Sequence, residues 1–547
     1  MLTYGAEYNN ITARVMCDIA TRYGNEKLQR ETAARNCSGK LQRETATRNC
    51  IGIWQRKIAT RNSNEIHVEG DGMQLNSTII GRAAQQEKLW EYFDSGRSEF
   101  VALYGRRRVG KTYLVRETLG AEITFYATGM LDSGESEQIK NFNNDIADYG
   151  GSNLVPAENW SDAFQNLKAL IGASKKDKKK VIFLDEIPWM STPRSGFLSA
   201  LDYFWNHYCT TRKDILLIIC GSAASWIIEN VVNNTGGLHN RLTGEINLQP
   251  FTLRECEEYF RARGIDIPRY QVAEAYMIFG GIPYYLDYFR PKYSLAQNVD
   301  EIYFKDDAPL RNEYANIYRS LFKNADGHMK VIEALAARNY GKRREELVAA
   351  TGITEGGWLT KIINELVISG FVREYRAYGK KSRDRLYQLV DPFTLFCIRF
   401  GAKRDTYSSD FWMRFCTTPA HAAWAGYAYE ILCLLHVQQI RKALGISGVM
   451  TEIYSWRSKV SDPGAQIDLV IERADQVINL CEIKFASAEF EIDKATDLNL
   501  RNKRAAFVSE TATKKSAHTT LITTYGLRRN AYQAGIPFEV KLDDMFE

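Results

Sequence analysis

The stretch EFVALYGRRRVGKTYLVRETL, residues 99–119, decides the fold. Its apolar beginning, EFVALY, predicts a buried strand, and its end, TYLVRETL, predicts a helix. Between them, Gly105 to Thr112 match G-x-x-x-x-G-K-T in the strand–loop–helix order of a phosphate-binding loop. The glycines let backbone N–H groups point at phosphates, and the helix N-terminus adds its dipole. Lys111 is predicted to reach the β- and γ-phosphates, and Thr112 to ligate Mg²⁺.

A nucleotide held by this loop would contact a continuous run of residues. The predicted contacts are Gly105, Arg106, Arg107, Arg108, Val109, Gly110, Lys111, Thr112 and Tyr113. The side chains of Arg106 to Arg108 are expected to serve structure or DNA binding rather than catalysis. The alternative is a glycine-rich turn that matches the pattern by chance.

A second apolar run, VIFL at 181–184, ends in Asp185 and Glu186. A continuous apolar run is typical of a central parallel strand, because both of its faces are covered. Asp185 is predicted to hold Mg²⁺, and Glu186 to polarise the water that attacks the γ-phosphate. The alternative is a strand that ends in two solvated acids.

A third apolar run, ILLIIC at 215–220, leads to Ser222. Ser222 is a candidate sensor of the γ-phosphate; alternatively, it caps a helix that begins near Ala223. Arg241 stands just before another predicted strand. It is a candidate arginine finger acting in a neighbouring subunit, or else a solvated surface arginine.

These motifs, with IIGR at 79–82 and GGIPYYL at 280–286, resemble the prokaryotic (archaeal-type) ATPase family. That family belongs to the AAA+/STAND-like branch of P-loop NTPases. The resemblance extends over residues 73–547. It implies an ATPase core that prefers ATP, a helical lid, a winged helix and a nuclease-like C-terminal domain. It also implies that Gly81 and Arg82 lie near the adenine.

Residues 328–391 show a different pattern. Three amphipathic helical segments are followed by FVREYRAYGKKSRDRLYQLVD, which predicts two strands around a basic turn. This is the order of a winged helix-turn-helix. The basic residues of the turn, Lys380, Lys381, Arg383 and Arg385, are candidates for phosphate contacts. Alternatively, the module packs between domains and contacts no DNA.

Near the C-terminus, Gln466–Glu472 and Val477–Ala486 predict two strands joined by a short polar turn. Alternation places Glu482 and Lys484 on the same face of the second strand, and Asp468 lies near the start of the first. This pattern resembles the PD-(D/E)XK nuclease core.

In that core, Asp468 and Glu482 would hold Mg²⁺ or Mn²⁺, while Lys484 orients or activates a water molecule. Glu430 interrupts an otherwise apolar helix at 424–437 and needs a partner, which a metal site would supply. Alternatively, Glu482 and Lys484 are an ordinary surface pair, or the nuclease fold serves binding alone.

The composition agrees with a globular chain of several domains. The 547 residues are 45% hydrophobic and 25% charged, which excludes a fully disordered or coiled-coil chain. A net charge of +5 permits nucleic-acid binding without requiring it. Ten cysteines without a C-x-x-C pair favour a reducing cytoplasm. No apolar stretch reaches membrane-spanning length, so no membrane partner is expected.

The N-terminal segment contains repeats. KLQRETAARNC at 27–37 returns almost unchanged as KLQRETATRNC at 40–50. The segment has too few large apolar residues to bury a core. It is predicted to be either a basic tail that contacts nucleic acid or a non-native extension translated from repetitive DNA ahead of Met73.

Together these features predict an α/β multidomain protein. The domains are a repetitive extension (1–72), a P-loop ATPase core with a parallel sheet (73–255), a helical lid (256–325), a winged helix (326–392) and an α/β restriction-nuclease-like domain (393–547). The predicted function is Mg²⁺-dependent ATP hydrolysis coupled to DNA binding or cleavage, with a homo-oligomer as one option. The alternative is an ATP-driven switch whose nuclease-like domain is inactive.

Overall fold

The computed structural model describes residues 76, 78–152, 154–175, 178–233, 238, 240–322, 324–380, 384–401, 410–458, 460 and 464–547. They belong to the compact unit Met73–Glu547. The repeats within residues 1–72, and the wing residues Lys381 and Arg383, lie outside the described residues.

A parallel five-stranded sheet forms the centre of the first half. Its strands are β1 Glu99–Gly105, β2 Ile123–Thr128, β3 Lys180–Asp185, β4 Ile215–Gly221 and β5 Gly244–Leu248, in the order β2-β3-β4-β1-β5. Every residue of β1, β3 and β4 is buried, as the continuous apolar runs predict. Because β4 lies between β1 and β3, the carboxyl ends of these three strands meet at one edge.

Helices cover both faces of this sheet. They are α1 Ala83–Asp94, α2 Lys111–Leu119, α3 Glu135–Asp148, α4 Trp160–Ala173, α5 Ile187–Met190, α6 Phe197–Phe204 and α7 Ala224–Ile227. Alternate residues of β1 enter separate apolar clusters: Val101 and Leu103 one cluster, Phe100 and Ala102 the other. The sheet is therefore buried on both sides, which explains its unbroken apolar sequences.

Short helices follow the core in the region predicted to be the lid. They are α8 Leu253–Ala262, α9 Arg269–Phe279, α10 Pro283–Leu286, α11 Leu295–Val299 and α12 Glu313–Leu321. Thr252 and Glu255 form a capping box at the start of α8. Gly281 has φ +67°, and a Cβ there would lie 2.3 Å from the Phe251 carbonyl oxygen. Only glycine fits this turn, which holds α10 against the core.

Three helices and a hairpin occupy the region predicted as a winged helix. They are α13 Ala325–Ala336, α14 Arg344–Thr351, α15 Gly357–Ile368, β6 Val372–Ala377 and β7 Arg385–Leu389. The two strands pair antiparallel, from Val372 opposite Leu389 to Arg376 opposite Arg385. The predicted elements are thus present in the predicted order.

The C-terminal half contains five helices and five strands in the described part of the chain. They are α16 Pro392–Phe400, α17 Phe411–Phe415, α18 Pro419–Leu435, α19 Val437–Ala443, β8 Thr451–Arg457, β9 Gln466–Arg473, β10 Val477–Lys484, α20 Lys494–Thr511, β11 Ser516–Thr523 and β12 Phe538–Lys541. The predicted hairpin of β9 and β10 is confirmed, with Leu480 opposite Val470.

One feature of this half does not follow from local sequence patterns. The sheet has seven strands in the order β12-β11-β10-β9-β8-β6-β7, because β6 pairs in parallel with β8. Arg376 lies opposite Tyr454, and Ala377 opposite Ser455. The hairpin predicted to be the wing therefore continues the C-terminal sheet, so strands on both sides of the predicted boundary at residue 392 belong to one sheet.

Two expectations concern the chain as a whole. In the described regions, no helix combines the length and the apolar character needed to cross a membrane. The cysteines of these regions, including Cys209, Cys220 and Cys433, are free thiols.

Candidate functional site

A cleft of about 680 Å³ opens at the carboxyl edge of the core sheet. It is lined by the phosphate-binding loop, by the segment ahead of α1 and by the lid. The lining residues are Thr78, Ile79, Ile80, Arg82, Arg107, Arg108, Val109, Gly110, Lys111, Thr112, Tyr113, Leu114, Glu186, Trp189, Ser222, Phe251, Tyr259, Arg263, Pro283, Tyr284 and Asp287. The cleft thus brings together groups from three strand ends and from the lid.

The phosphate-binding loop runs from β1 into α2, as predicted. Gly105 has φ +150°, and a Cβ there would lie 2.2 Å from the Leu248 carbonyl oxygen, so this position requires glycine. The Lys111 ammonium lies within hydrogen-bond distance of the carbonyl oxygens of Gly105 (3.1 Å) and Arg106 (2.9 Å). It also donates to the Ser222 hydroxyl at 3.3 Å. The lysine therefore points across the loop, where a phosphate would lie.

Thr112 and the acidic pair at the end of β3 lie beside the loop. The Thr112 hydroxyl donates to Asp185 Oδ2 at 2.6 Å. Glu186 adopts a left-handed backbone conformation with φ +48°, a strained arrangement for a residue with a side chain. This backbone turns the Glu186 carboxylate toward the cleft rather than into bulk solvent.

Ser222 fixes the orientation of Glu186. The Ser222 hydroxyl donates to Glu186 Oε1, and its backbone N–H donates to Oε2 at 3.0 Å. The helix after it begins at Ala224 with Ala223 as N-cap and has no side-chain cap. Ser222 therefore does not cap this helix, and its role as a sensor of the γ-phosphate stays a prediction.

The loop arginines contact protein groups. Arg106 turns away from the cleft into a buried ion pair with Asp391, because that carboxylate lies directly behind the loop. The guanidinium of Arg108 is 3.0 Å from Glu313 and lies over the Tyr284 ring, so the loop also contacts the lid.

Three further residues are predicted to take part in nucleotide binding or hydrolysis: Gly81, Arg82 and Arg241. Arg82 lines the cleft, stacks on Phe251 and donates to the Gln249 carbonyl oxygen at 2.8 Å. Gly81 packs close to Glu255, where a Cβ would approach the carboxylate to 2.8 Å. Arg241 is exposed and is not among the residues that line the cleft, so its role as a finger stays a prediction.

A second polar cavity, of about 280 Å³, lies in the C-terminal half. It brings together all four residues predicted there: Glu430, Asp468, Glu482 and Lys484. They come from α18, β9 and β10, so the fold collects them from three elements.

Glu482 lies at the centre of this cavity and pairs with two lysines. Lys484 Nζ is 2.9 Å from Oε1, and Lys503 Nζ on α20 is 2.8 Å from Oε2. Burial acts to raise the pKa of Glu482, but the two ammonium groups outweigh it and hold the pKa below its ordinary value. Glu482 is therefore ionised at neutral pH.

The pKa values of the other two carboxyl groups, Asp468 and Glu430, are raised rather than lowered. Burial and the neighbouring Glu482 raise the pKa of Asp468, while a 2.5 Å hydrogen bond from Gln466 opposes the shift. Burial, followed by the charges of Asp468 and Glu482, raises the pKa of Glu430 to about 8. Three carboxyl groups close together with pKa values pushed apart are typical of a functional site.

Two polar residues that line this cavity are absent from the sequence-based predictions: Gln466 and Lys503. Gln466 lies two residues before Asp468 on the same face of β9, so alternation contains a signal for it. Lys503 lies in a helix whose polar residues are spread around its axis, and nothing local marks it.

The strand order, the loop and the acidic pair define the class of the first half: a P-loop nucleotide-binding domain. Residues 80–289 match the family model described as an ATPase domain predominantly from Archaea. These residues are therefore similar to an archaeal-type ATPase domain, in agreement with that part of the resemblance.

Further similarity extends to individual proteins. An uncharacterized protein of Methanocaldococcus jannaschii is 25% identical over 324 residues, which cover 59% of this chain and 68% of that protein. A solved Walker-type ATPase of Pyrococcus abyssi is 18% identical, with a TM-score of 0.42 over 59% of this chain and 96% of that one. The ORC2 protein of Aeropyrum pernix, solved as ADPNP–ADP complexes, is 14% identical, with a TM-score of 0.37 over 62% and 98%.

Proposed function

We propose that the protein binds Mg²⁺–ATP in the cleft of the core sheet and hydrolyses it. The observation that carries this proposal is a group of hydrogen bonds at one cleft. They join Lys111 to Ser222, Ser222 to Glu186, and Thr112 to Asp185. These side chains supply a cation for the phosphates, oxygen ligands for a metal, and a base beside the place of the γ-phosphate.

Each step of ATP binding and hydrolysis can be assigned to a group of this protein. Backbone N–H groups of the loop and the N-terminus of α2 bind the phosphates, and Lys111 exchanges the loop carbonyls for phosphate oxygens. The Thr112 hydroxyl and the Asp185 carboxylate fit Mg²⁺, a hard cation that prefers oxygen ligands and neutralises phosphate charge. Glu186, oriented by Ser222, keeps free lone pairs on both carboxylate oxygens and can accept a proton from the attacking water.

Phosphate release by the full-length chain tests this proposal. Lys111→Ala should abolish ATP turnover, because the charge on the β- and γ-phosphates is then uncompensated. Lys140→Ala, which removes an exposed lysine of α3, is the matched control and should keep wild-type turnover. Steady hydrolysis by the Lys111→Ala variant would disprove the assignment of the site.

A second activity, metal-dependent cleavage of DNA, is proposed for the C-terminal cavity. It rests on the convergence of Glu430, Asp468, Glu482 and Lys484. Within the described residues, no group of three or more His, Cys, Asp or Glu side chains forms a ready cation site. Mg²⁺ commonly uses only one or two carboxylates and keeps its waters, so Asp468 and Glu482 still fit Mg²⁺ or Mn²⁺.

In this proposal the residues divide the work. Asp468 and Glu482 hold the cation, which would polarise the scissile phosphate, and Lys484 orients the attacking water. Glu430, kept neutral by its surroundings, can donate a hydrogen bond to a phosphate oxygen. ATP binding would reach this cavity through the contacts that join the phosphate-binding loop to the C-terminal half.

Supercoiled plasmid tests the second activity. The full-length chain and its Asp468→Ala variant are incubated with Mg²⁺ or Mn²⁺, with and without ATP. Cleavage that is lost in the variant supports a nuclease, and its dependence on ATP measures the coupling. ATP hydrolysis without cleavage under any condition would favour the alternative, a nucleotide-driven switch that contains an inactive nuclease-like domain.

A further inference from the structure

The lid contributes a cluster of three polar side chains to the nucleotide cleft: Tyr259, Arg263 and Asp287. Tyr259 lies on α8, Arg263 directly follows α8, and Asp287 directly follows α10. All three residues line the cleft and are joined by hydrogen bonds. The chemistry proposed above for ATP hydrolysis leaves this cluster without a role.

Hydrogen bonds hold the Asp287 carboxylate in one orientation. The Tyr259 hydroxyl donates to Asp287 Oδ1 at 2.8 Å, and Arg263 Nη1 donates to the same oxygen. Arg263 Nη2 donates to the backbone carbonyl oxygen of Asp287 at 3.1 Å. Among the described residues, no donor contacts Asp287 Oδ2, and the side chain is 54% exposed. One carboxylate oxygen is therefore fixed by the lid, and the other can accept hydrogen bonds from a ligand.

The carboxylates that line the cleft belong to different parts of it. Within the described residues, these carboxylates are Glu186 and Asp287. Glu186 contacts Ser222, which in turn contacts Lys111, so Glu186 belongs to the phosphate end of the cleft. Asp287 instead contacts α8 and the residue that follows it. Because a second carboxylate beside the phosphates would repel them, Asp287 is suited to the uncharged nucleoside part of the ligand.

The surroundings of the cluster distinguish the base from the sugar. Ile79, Ile80 and Phe251 line the cleft with apolar side chains, and the ring centres of Phe251 and Tyr259 are 5.6 Å apart. Apolar and aromatic side chains suit the flat faces of a nucleobase. A ribose presents two hydroxyl donors, which need a polar acceptor, and carboxylates bind ribose hydroxyls in dinucleotide-binding folds. The Asp287 carboxylate supplies such an acceptor.

We infer that the Asp287 carboxylate binds the ribose hydroxyls of the nucleotide and makes the cleft selective for ribonucleotides. Tyr259 and Arg263 are positioning residues, because they act through Asp287. This inference rests on nucleotide binding at the proposed site and deepens it. The phosphate-binding loop holds the phosphates, and the lid selects the sugar.

Binding of ADP, which involves no hydrolysis, tests the inference. Titration calorimetry in Mg²⁺ measures the Kd of the full-length chain for ADP and for dideoxy-ADP, which lacks both ribose hydroxyls. Wild type should bind ADP about tenfold more tightly than dideoxy-ADP, as expected for hydrogen bonds to a charged group. The two singly deoxygenated ADP analogues then show which hydroxyl contributes.

The Asp287→Ala variant should bind ADP and dideoxy-ADP with equal affinity. Loss of the carboxylate also removes its repulsion of the phosphates, but this change acts equally on both nucleotides. The ratio of the two Kd values therefore isolates the contacts with the hydroxyls. Asp287→Asn should show the same equal affinity, because its carbonyl oxygen stays with Tyr259 and Arg263 and its NH₂ group cannot accept a hydrogen bond.

Asp306→Asn is the matched control. Asp306 is an exposed aspartate of the same region, pairs with Arg311 and is not among the residues that line the cleft. This variant should keep the wild-type ratio of the two Kd values. Melting temperatures show whether each variant is folded.

The outcomes separate the inference from the proposed hydrolysis. If Asp287→Ala weakens binding of ADP and dideoxy-ADP by the same factor, or if wild type binds the two alike, the inference fails and nucleotide binding stands. If the ratio depends on Asp287 as expected but no phosphate is released from ATP, the ribose site stands and hydrolysis fails. If wild type binds neither nucleotide, both are overturned.

Discussion

Arg106 of the phosphate-binding loop and Asp391 at the start of α16 form an ion pair of 2.5 Å, and both side chains are almost fully buried. The Arg106 guanidinium also stacks on Phe371, at 4.4 Å from its ring centre. Asp391 accepts a hydrogen bond from the Thr394 backbone and so caps α16. The loop that should hold ATP is thus joined directly to the beginning of the C-terminal half.

Breaking this pair should destabilise the whole unit. Arg106→Gln or Asp391→Asn leaves an uncompensated buried charge, which costs about 3–5 kcal/mol, whereas the double variant should lose much less than the sum. Urea unfolding measures these free energies. The matched control is the exposed pair of Arg254 and Glu258 on α8, whose removal should cost less than about 1 kcal/mol. Additive losses would show that the two residues do not act as a pair.

The contacts of Ser222 predict its effect on turnover. Glu186→Gln should lower kcat at least about 100-fold while ATP still binds, because it removes the base. Ser222→Ala should lower kcat by about tenfold, the value of one hydrogen bond that orients Glu186. Ser222→Thr, which keeps the hydroxyl, should retain most of the activity. Phosphate release and fluorescent-ATP binding measure the two effects, and an unchanged kcat in Ser222→Ala would remove Ser222 from the mechanism.

The sequence predicts the nucleotide cleft well because its signals are local. The loop spans eight consecutive residues, and Asp185 and Glu186 directly follow an apolar strand, so spacing alone contains the geometry. The hairpin of β9 and β10, which carries Asp468 and Glu482, is also predictable from local sequence. The alternation of side chains along each strand and the short turn between the strands fix its register.

Other features depend on contacts between distant residues and have no local signal. Arg106 and Asp391 are 285 residues apart, and Lys503 meets Glu482 only after α20 packs on the sheet. The parallel pairing of β6 with β8 likewise joins strands that, in the described part of the chain, are separated by β7 and four helices. A basic turn between two short strands predicts a hairpin, but it does not show which sheet the hairpin joins.

The two lysines on Glu482 predict how the cavity binds a cation. Lys503→Met should raise the affinity for Mn²⁺ at least about tenfold, because it removes a positive charge that occupies Glu482 Oε2. Asp468→Asn should abolish this binding. The rise in melting temperature with Mn²⁺, measured without nucleotide, reports the affinity, and chelation should reverse it. Lys494→Met, on the exposed start of α20, is the control. Equal affinity in all variants would place the cation elsewhere.

Glu430 should make the stability of the protein depend on pH. Its pKa, raised to about 8 by burial and by Asp468 and Glu482, is well above that of an unfolded glutamate, so the folded state binds the extra proton. The stabilising effect of that proton is complete at low pH and is lost as the pH rises from about 5 to 8, with a slope of up to about 1.4 kcal/mol per pH unit.

In the Glu430→Gln variant the side chain at position 430 is uncharged at every pH. The variant should therefore lack the pH-dependent part of the stability that Glu430 contributes. As the pH rises across this range, the variant should therefore become progressively more stable than wild type, as measured by the free energy of unfolding. A chelator is present throughout to exclude metal binding. Glu489→Gln, an exposed position in the same half, should follow wild type. If Glu430→Gln also followed wild type from pH 5 to 8, Glu430 would already be ionised in the folded protein, and the cavity would have to stabilise three negative charges with Lys484 and Lys503.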